Sequence, residues 1–221
     1  MLQKRNTMFE IIEKKHLAPD IYSMKIKAPA ITRAKKPGQF VIVIADTKSE
    51  RIPLTISDFN ADSGTVDIFI QAIGYSTRKL IELNERESIL DFVGPLGLES
   101  EFIHRTNKEL TKLKTLVIAG GVSATPTYPQ VKKFHNKGFI GARSRKFVLL
   151  KEKLQPLVNK LYIATDNGSK GFRRNANQLQ KKLTAIGNKY DLDISIDKPK
   201  HHSFSVKKTR GMMFSAKPSS I

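Results

Sequence analysis

Two segments among the first hundred residues carry groups that could hold a phosphate-bearing ligand. Arg51 opens the stretch Arg51-Ile-Pro-Leu-Thr-Ile56, and its forked guanidinium is suited to pairing with a pyrophosphate. Gly74, Ser76 and Thr77 open the second segment, where a helix capped by Ser76 would point its backbone N–H groups and its dipole at an anion. A diphosphate held from both sides in this way suits a dinucleotide such as FAD.

The residues that follow Arg51 are candidates for contact with a ring system. Thr55 has a hydroxyl that could hydrogen-bond a flavin ring nitrogen, and we take it as the candidate catalytic residue. Pro53 and Leu54 precede it as candidate cofactor-binding residues, with Leu54 placed against a flat ring. Taken separately, each segment has a simpler interpretation: an ordinary strand with one exposed arginine, and a plain helix cap without a ligand.

A third segment, further along the chain, has the layout of a nucleotide pyrophosphate loop. Residues 116–126 run from an apolar strand through two glycines to a helix start, although the Gly-x-Gly-x-x-Gly fingerprint is absent. Its candidate ligand-binding residues are Gly120, Gly121, Thr125 and Pro126. A polar turn at 165–169 contains Asp166, a candidate for contact with a ribose or nicotinamide; the alternative is a surface turn.

The elements that position these residues change type along the chain. Over 7–100, short β-branched, partly alternating segments are separated by turn signals, which indicates an all-β domain. From about residue 111, apolar strands alternate with helical patterns, which is typical of a parallel α/β lobe. The sequence predicts an antiparallel β-barrel over 1–102, an incomplete parallel α/β lobe over 111–190 and an irregular basic tail over 191–221.

Two local expectations follow from glycine and proline. A tight turn is predicted at Phe92-Val-Gly-Pro-Leu-Gly97, at the end of the barrel. A helix is predicted from near Pro126 to Gly138, where the glycine ends it.

The charge of the chain is unevenly distributed. The net charge is +19, yet residues 1–100 hold 14 Lys/Arg against 13 Asp/Glu, while residues 131–190 hold 15 against 2. A basic face could attract nucleotide phosphates, acidic proteins or nucleic acid. We prefer a solvated lysine-rich surface, and nucleic acid is an unlikely partner because no aromatic-interleaved basic motif accompanies the charge.

The lack of cysteine excludes several classes of site, and the hydropathy pattern predicts no membrane-spanning segment. The chain has no cysteine, which rules out disulfides, thiolate zinc sites and cysteine-held iron–sulfur clusters within it. No metal site is predicted. No apolar run approaches the roughly 18 residues needed to span a bilayer, and the N-terminus lacks a signal-peptide pattern. We therefore expect a cytoplasmic protein.

In this order, the segments resemble the ferredoxin–NADP reductase superfamily. The resemblance extends from about residue 8 to 190 and is strongest for the small FAD subunit of sulfide dehydrogenase, of NADH-dependent ferredoxin:NADP oxidoreductase and of the dihydroorotate dehydrogenase electron-transfer protein. The matching motifs are Pro37-Gly38-Gln39-Phe40, Arg51–Ile56, Gly74–Leu80 and Leu90–Gly97. The resemblance implies a barrel that binds FAD, a lobe that binds NAD(P)H, and a larger flavoprotein or electron-acceptor subunit as partner.

The chain also departs from the family pattern. Ala119 and Ser123 stand where the family has glycines, so two side chains are expected to obstruct the phosphate loop. After Gly138 the chain continues directly into Phe139, where the family has a longer link and a full strand, so the resemblance implies that the next sheet strand is shortened or missing. The family's later strand and cysteine cluster are expected to be absent beyond Tyr190. Three interpretations stay open: a flavin-dependent NAD(P)H oxidoreductase, a non-catalytic FAD-binding or subunit-interaction remnant, and a polyanion binder. The electron acceptor and the choice between NADH and NADPH are not decided by the sequence.

Overall fold

The chain forms two compact units, Met1–Ile103 and His104–Ile221, which are described separately below. The computed structural model describes part of each unit. The described residues are 9–100, 115–134, 137–142, 144–174, 176–185, 192–196, 204–208 and 212–215.

The first unit contains a six-stranded antiparallel sheet in the order β1-β2-β5-β4-β3-β6. β-branched and aromatic residues dominate these segments and alternate between the two faces, which is the pattern expected of half-buried strands. The strands are β1 Ile11–Ala18, β2 Ile21–Lys27, β3 Phe40–Ile44, β4 Ile52–Asn60, β5 Thr65–Gln71 and β6 Asp91–Leu96.

Backbone hydrogen bonds bring the two ends of this sheet together. The N–H of Ile11 donates to the carbonyl of Glu87 (2.8 Å), and the N–H of Arg86 donates to the carbonyl of Ile11 (2.8 Å). Ile89 N–H donates to the carbonyl of Phe9 at 3.1 Å. The segment before β6 therefore pairs with the start of β1, which agrees with the predicted antiparallel, barrel-type domain.

One face of the sheet forms an apolar core. Val41 and Val43 on β3, Ile56 on β4 and Ile68 on β5 are fully buried there, with Phe92 from β6. Successive residues of a strand point to opposite faces of the sheet, so the residues between these buried ones face away from the core.

Two helices cover parts of the first unit: α1 Pro29–Ala34 and α2 Tyr75–Glu82. Helix α1 was not predicted, because Pro29 is one of the turn signals in the sequence. In the structure Pro29 occupies the first position of the helix, where a backbone N–H would have no helical partner. Helix α2 was predicted, but it begins at Tyr75 with Gly74 as its N-cap rather than Ser76. Leu80 on α2 is fully buried and attaches the helix to the core.

The segment predicted as a tight turn at 92–97 is instead most of strand β6, with a cis peptide bond at Gly94–Pro95. Its glycines permit close packing. A Cβ on Gly94 would lie 2.7 Å from Cγ1 of Val41, and one on Gly97, whose φ is +80°, would lie 2.7 Å from the ring of Phe40. The two glycines let β6 approach β3 closely.

The second unit contains a seven-stranded sheet in the order β10-β9-β8-β7-β11-β12-β13. From β10 to β11 each neighbouring pair is parallel, and β12 and β13 add antiparallel strands at one edge. The strands are β7 Thr115–Gly120, β8 Lys137–Ala142, β9 Leu161–Thr165, β10 Phe172–Arg173, β11 Leu192–Ile196, β12 Phe204–Lys208 and β13 Met212–Ser215.

Three α-helices accompany this sheet in the described residues: α3 Ala124–Phe134, α4 Lys151–Leu154 and α5 Ala176–Ala185. Leu179 and Leu183, one turn apart on α5, are buried against Leu116 and Ile118 of β7. The alternation of strands and helices confirms the predicted α/β lobe. None of the helices in the described ranges is both long and apolar enough to cross a bilayer.

Two expectations for this unit were wrong. Helix α3 ends at Phe134, and the next segment is a six-residue strand, β8, lying between β7 and β9 where a shortened or missing strand was expected. The described parts of 191–221 are strands rather than an irregular tail, and β11 pairs along the whole of Thr115–Ala119. Backbone pairing with distant strands orders these segments, and local composition does not reveal such pairing.

We predict that Gly38→Ala destabilises the first unit by about 1–3 kcal/mol. Gly38 has a φ of +96°, and a Cβ there would lie 2.8 Å from the backbone nitrogen of Ser100, which donates to the carbonyl of Pro37. Chemical denaturation of the full chain measures the loss. Gly74→Ala is the control, with an expected loss below about 1 kcal/mol, because φ is −108° there and the added Cβ meets nothing within 4 Å. Equal losses in the two variants would contradict the prediction.

Candidate functional site

The β3–β4 loop lies against the first turn of α2. The backbone N–H of Glu50 donates a hydrogen bond to Oγ of Ser76 at 2.8 Å, and Ser76 is buried. Arg51 is the next residue and is exposed. The two segments that the sequence proposes for one diphosphate therefore adjoin in space, although 26 residues separate Glu50 from Ser76.

The loop that carries Arg51 has a defined shape. Oδ1 of Asp46 accepts hydrogen bonds from the Lys48 N–H (2.9 Å) and the Ser49 hydroxyl (2.8 Å), as in an Asx turn. The Ser49 hydroxyl chiefly, and then the amides of Lys48 and Ser49 and the charge of Lys79 on α2, hold the pKa of Asp46 below its ordinary value. Asp46 thus orders the loop as a carboxylate and interacts electrostatically with the same helix.

The start of α2 leaves backbone donors for a ligand. Oγ1 of Thr77 accepts from the N–H groups of Ile73 (3.1 Å) and Gly74 (3.0 Å) and donates to the Gly74 carbonyl (2.9 Å), so its hydroxyl is fully used. The first intrahelical bond runs from the Arg78 N–H to the Gly74 carbonyl at 3.1 Å. The N–H groups of residues 75–77 precede it and lack helical partners, which makes them available to an anion.

The space beside Gly74 is open. A Cβ built on Gly74 meets nothing within 4 Å, and its φ of −108° does not demand glycine. Ile73 and Tyr75 on either side are 73% and 55% exposed, an unusual amount of apolar surface around one glycine. Open space, apolar flanks and free amides together fit a nucleotide better than a plain helix cap.

Strand β4 separates its candidate residues onto two faces. Leu54 lies opposite the fully buried Val41 and packs against the core while staying half-buried; its contact with a flat ring stays a prediction. Pro53 and Thr55 lie on the other face, where Pro53 is exposed and Thr55 half-buried. Of the three, Pro53 and Thr55 are positioned to meet a ligand outside the core.

In the second unit, the glycine loop follows β7. Gly120 ends the strand and is exposed, and Gly121 has a φ of +56° with nothing within 4 Å of an added Cβ. Only glycine adopts this conformation readily. No atom of the described residues fills the space beside Gly121. The turn then leads into α3 through a single 3₁₀ turn, Gly121–Ser123.

The substitution expected to obstruct this loop at Ala119 does not do so, because its side chain is 1% exposed and lies in the core of the unit. Thr125, a predicted ligand, is 3% exposed and its hydroxyl donates to the Val122 carbonyl at 2.8 Å. That hydroxyl therefore shapes the helix start, and Pro126 beside it is half-buried. The open backbone at Gly120–Gly121 is the stronger candidate for ligand contact.

Asp166 lies in the turn after β9 and is exposed. Its N–H donates to the carbonyl of Ala142, at the end of β8, at 3.0 Å. Because β8 lies between β7 and β9, Asp166 and Gly120 share the carboxyl edge of the sheet, roughly 10 Å apart by strand spacing. Ligands of open parallel sheets bind at this edge.

Sequence reasoning missed the contacts that hold these loops. The Glu50–Ser76 bond has no local signature, and neither has the bond from the Arg145 N–H to Oγ of Ser169 at 2.8 Å. The Asx-type spacing of Asp46 and Ser49 was the one signal that could have marked the first loop as ordered. No cluster of three potential metal ligands occurs among the described residues.

Comparison with known proteins identifies several curated relatives that match most of the chain, two of which are described next. An uncharacterized protein from the adh 3′ region of Clostridium beijerinckii is 44% identical over 195 residues, covering 86% of this chain and 66% of the relative. A homolog of the electron transfer subunit of dihydroorotate dehydrogenase B (NAD(+)) from Thermotoga maritima is 31% identical over 169 residues, covering 74% and 57%. The chain thus spans about two thirds of the length of the first relative and less than three fifths of the length of the second. No protein-family model matches it.

Among solved structures, an NADH-dependent reduced ferredoxin–NADP oxidoreductase superposes with a TM-score of 0.73 at 28% identity. The superposition covers 85% of this chain and 67% of that one, so it includes parts of both units. The motifs, the two folds and these relatives agree: the chain belongs to the ferredoxin–NADP reductase superfamily.

Proposed function

We propose that this chain is a flavin-dependent electron-transfer subunit that binds FAD on its first unit and NAD(P)H on its second. The observation that carries the proposal is the hydrogen bond from Glu50 to Ser76, which brings the loop of Arg51 next to the open N-terminus of α2. A cationic side chain and free helix amides at one place are the requirements of a diphosphate site.

The residues of the first unit fit FAD. Arg51 would pair with the diphosphate from the strand side, and the amides of residues 75–77 would bind it from the helix side. Ser76 accepts one hydrogen bond from Glu50 and retains its own proton to donate. Pro53 and Thr55 would line the ring, with the Thr55 hydroxyl as donor or acceptor to a ring nitrogen. Bound FAD would accept a hydride and release electrons one at a time.

The second unit supports NAD(P)H as the electron donor. Gly120 and Gly121 expose backbone to a pyrophosphate ahead of α3, and Asp166 stands at the same sheet edge for a ribose or nicotinamide. The relative from Thermotoga maritima is named as an electron transfer subunit, which supports a larger flavoprotein or electron-acceptor subunit as partner. A cytoplasmic location completes the proposal.

A non-catalytic FAD-binding or subunit-interaction module is the second candidate. It is favoured by the absence of cysteine, which leaves no iron–sulfur route for electrons within the chain. This candidate shares the FAD site and differs only in its response to nucleotide.

The purified chain, reconstituted with FAD, is expected to be yellow and to lose its flavin absorbance on anaerobic addition of NADH or NADPH. Absorbance spectroscopy makes both measurements. A colourless protein that FAD does not reconstitute would refute FAD binding. Stable FAD without reduction by either nucleotide would favour the non-catalytic module.

Arg51→Ala is expected to weaken FAD binding about 10- to 100-fold, because charge-assisted hydrogen bonds to the diphosphate are lost. Fluorescence titration with FAD measures the affinity. Arg33→Ala is the matched control, since Arg33 is an exposed arginine on α1, away from the Arg51 segment in sequence. If the two variants bind FAD with equal affinity, Arg51 is not part of the site.

Ser76→Ala should leave the Glu50 N–H without its acceptor and cost about 1–3 kcal/mol of stability. Hydrogen exchange of the Glu50 amide is expected to accelerate, with weaker FAD binding as a consequence. Ser63→Ala, in the exposed β4–β5 turn, loses the hydrogen bond between the Ser63 and Thr65 hydroxyls but should leave both the exchange of the Glu50 amide and the FAD affinity unchanged. Unchanged exchange at Glu50 in Ser76→Ala would show that this bond does not hold the loop.

A further inference from the structure

A cleft in the first unit is formed by helix α1, the end of β2 and the residue Phe9, which precedes β1. Its volume is about 350 Å³, within the range of small-molecule sites. Its described lining includes the apolar residues Phe9, Ala28, Pro29 and Ile31 and the cations Lys27 and Arg33. None of these residues belongs to the segments that we propose for FAD, so this α1 cleft is a separate feature of the unit.

The apolar lining of the α1 cleft is continuous with the core of the unit. Ala28 and Ile31 are buried members of that core, and Phe9 packs against it. The rings of Phe9 and Phe92 lie 5.7 Å apart between centroids. An apolar group in the cleft would therefore exchange water for contact with the core, which is favourable.

Backbone hydrogen bonds hold the walls of the cleft in place. The Lys27 N–H donates to the carbonyl of Glu10 at 2.9 Å, which joins the end of β2 to the segment of Phe9. The Ala28 N–H donates to the carbonyl of Gly64, also at 2.9 Å, which attaches the start of α1 to the β4–β5 turn. The cleft is therefore preformed, as small-molecule sites usually are.

The charged side chains of the cleft are both cations. Lys27 and Arg33 are exposed, and no acidic side chain lines the cleft among the described residues. The Lys27 ammonium donates one hydrogen bond to the carbonyl of Ser63 (2.6 Å) and keeps two protons for other acceptors. Neither cation belongs to the ion pairs observed in the described part of the chain. This edge of the cleft therefore favours an anionic group.

Charge also distinguishes between possible occupants of the cleft. The chain carries a net charge of +19, so a second copy of it would meet net repulsion. The eight residues before Phe9 contain Lys4 and Arg5 and no acidic residue, so their charge does not match the cations of the cleft either. A small molecule with an apolar body and an anionic group matches both the lining and the charged edge.

We propose that the α1 cleft binds a small amphipathic anion, an alkyl chain that ends in a carboxylate or a phosphate. The alkyl chain would contact Phe9 and Ile31, and the anionic group would bind the Lys27 ammonium and the Arg33 guanidinium, whose fork suits both head groups. This site lies outside the proposed electron-transfer function and does not depend on it.

Calorimetric titration of the full chain with octanoate, octyl phosphate and octanol tests the site. At least one of the two anions is expected to bind about tenfold or more tightly than octanol, because charge-assisted hydrogen bonds form only with a charged head group. The tighter of the two anions identifies that head group. Octanol that binds as tightly as both anions, or failure of both anions to bind, overturns the inference.

Lys27→Gln and Arg33→Gln should each weaken binding of the preferred anion about tenfold and leave octanol binding unchanged. Lys27→Gln also loses the bond to Ser63, whereas Arg33→Gln removes no hydrogen bond or ion pair found among the described residues. Lys48→Gln is the matched control, since Lys48 is an exposed lysine of the β3–β4 loop that does not line the cleft. Equal affinity for the anion in all three variants would mean adventitious binding at another basic surface and overturns the inference.

A titration in the presence of saturating FAD separates this inference from the proposed function. The affinity for the anion is expected to stay unchanged, because the cleft and the proposed diphosphate site share no residue. Competition between FAD and the anion would place the anion in the flavin site, which overturns the inference and retains the function. A protein that does not bind FAD but binds the anion in an Arg33-dependent manner retains the inference and loses the function.

Discussion

The hydrogen bond between the Glu50 amide and the Ser76 hydroxyl is the contact on which the proposed cofactor site depends. It joins the loop that presents Arg51 to the helix start that presents free amides, and the serine that accepts it is buried. Removing it would leave both proposed phosphate-binding elements present but no longer fixed relative to each other. Affinity for a diphosphate requires both at once, since neither a lone arginine nor a lone helix start is a specific site.

The glycines and hydroxyls near the candidate sites of the two units fall into two groups, those explained by contacts within their own unit and those that face open space. Gly38 and Gly94 permit close approach of backbone or side chains within the first unit, so the structure itself explains them. Gly74 and Gly121 meet nothing, and each lies just before a helix start. The hydroxyl of Thr77 is consumed in shaping the helix start, as expected when a loop is built to leave its amides free.

In the second unit, local sequence patterns predict some strands and helices but not others. Strand β9 and helix α5 were predictable because their apolar residues follow a clear period and the flanking turns are polar. Strand β8 was not predictable in this way. Gly138 indicated the end of a helix in the sequence, whereas in the structure it pairs with a parallel strand on each side. Strand β11 depends on pairing with β7, more than seventy residues earlier, and its Lys- and Ser-rich surroundings concealed it.

The amino-acid sequence alone determined the alternating strands of the first domain, the order of the motifs, the absence of cysteine chemistry and the concentration of the net positive charge in the later part of the chain. The sequence determines these features because periodicity and residue type are properties of short segments, and net charge is a sum over residues. Only the tertiary structure decided that Glu50 meets Ser76 and that Arg145 meets Ser169, and that Leu54 points into the core. Contacts between residues 24 or more positions apart arise from how strands and helices pack, which no local pattern encodes.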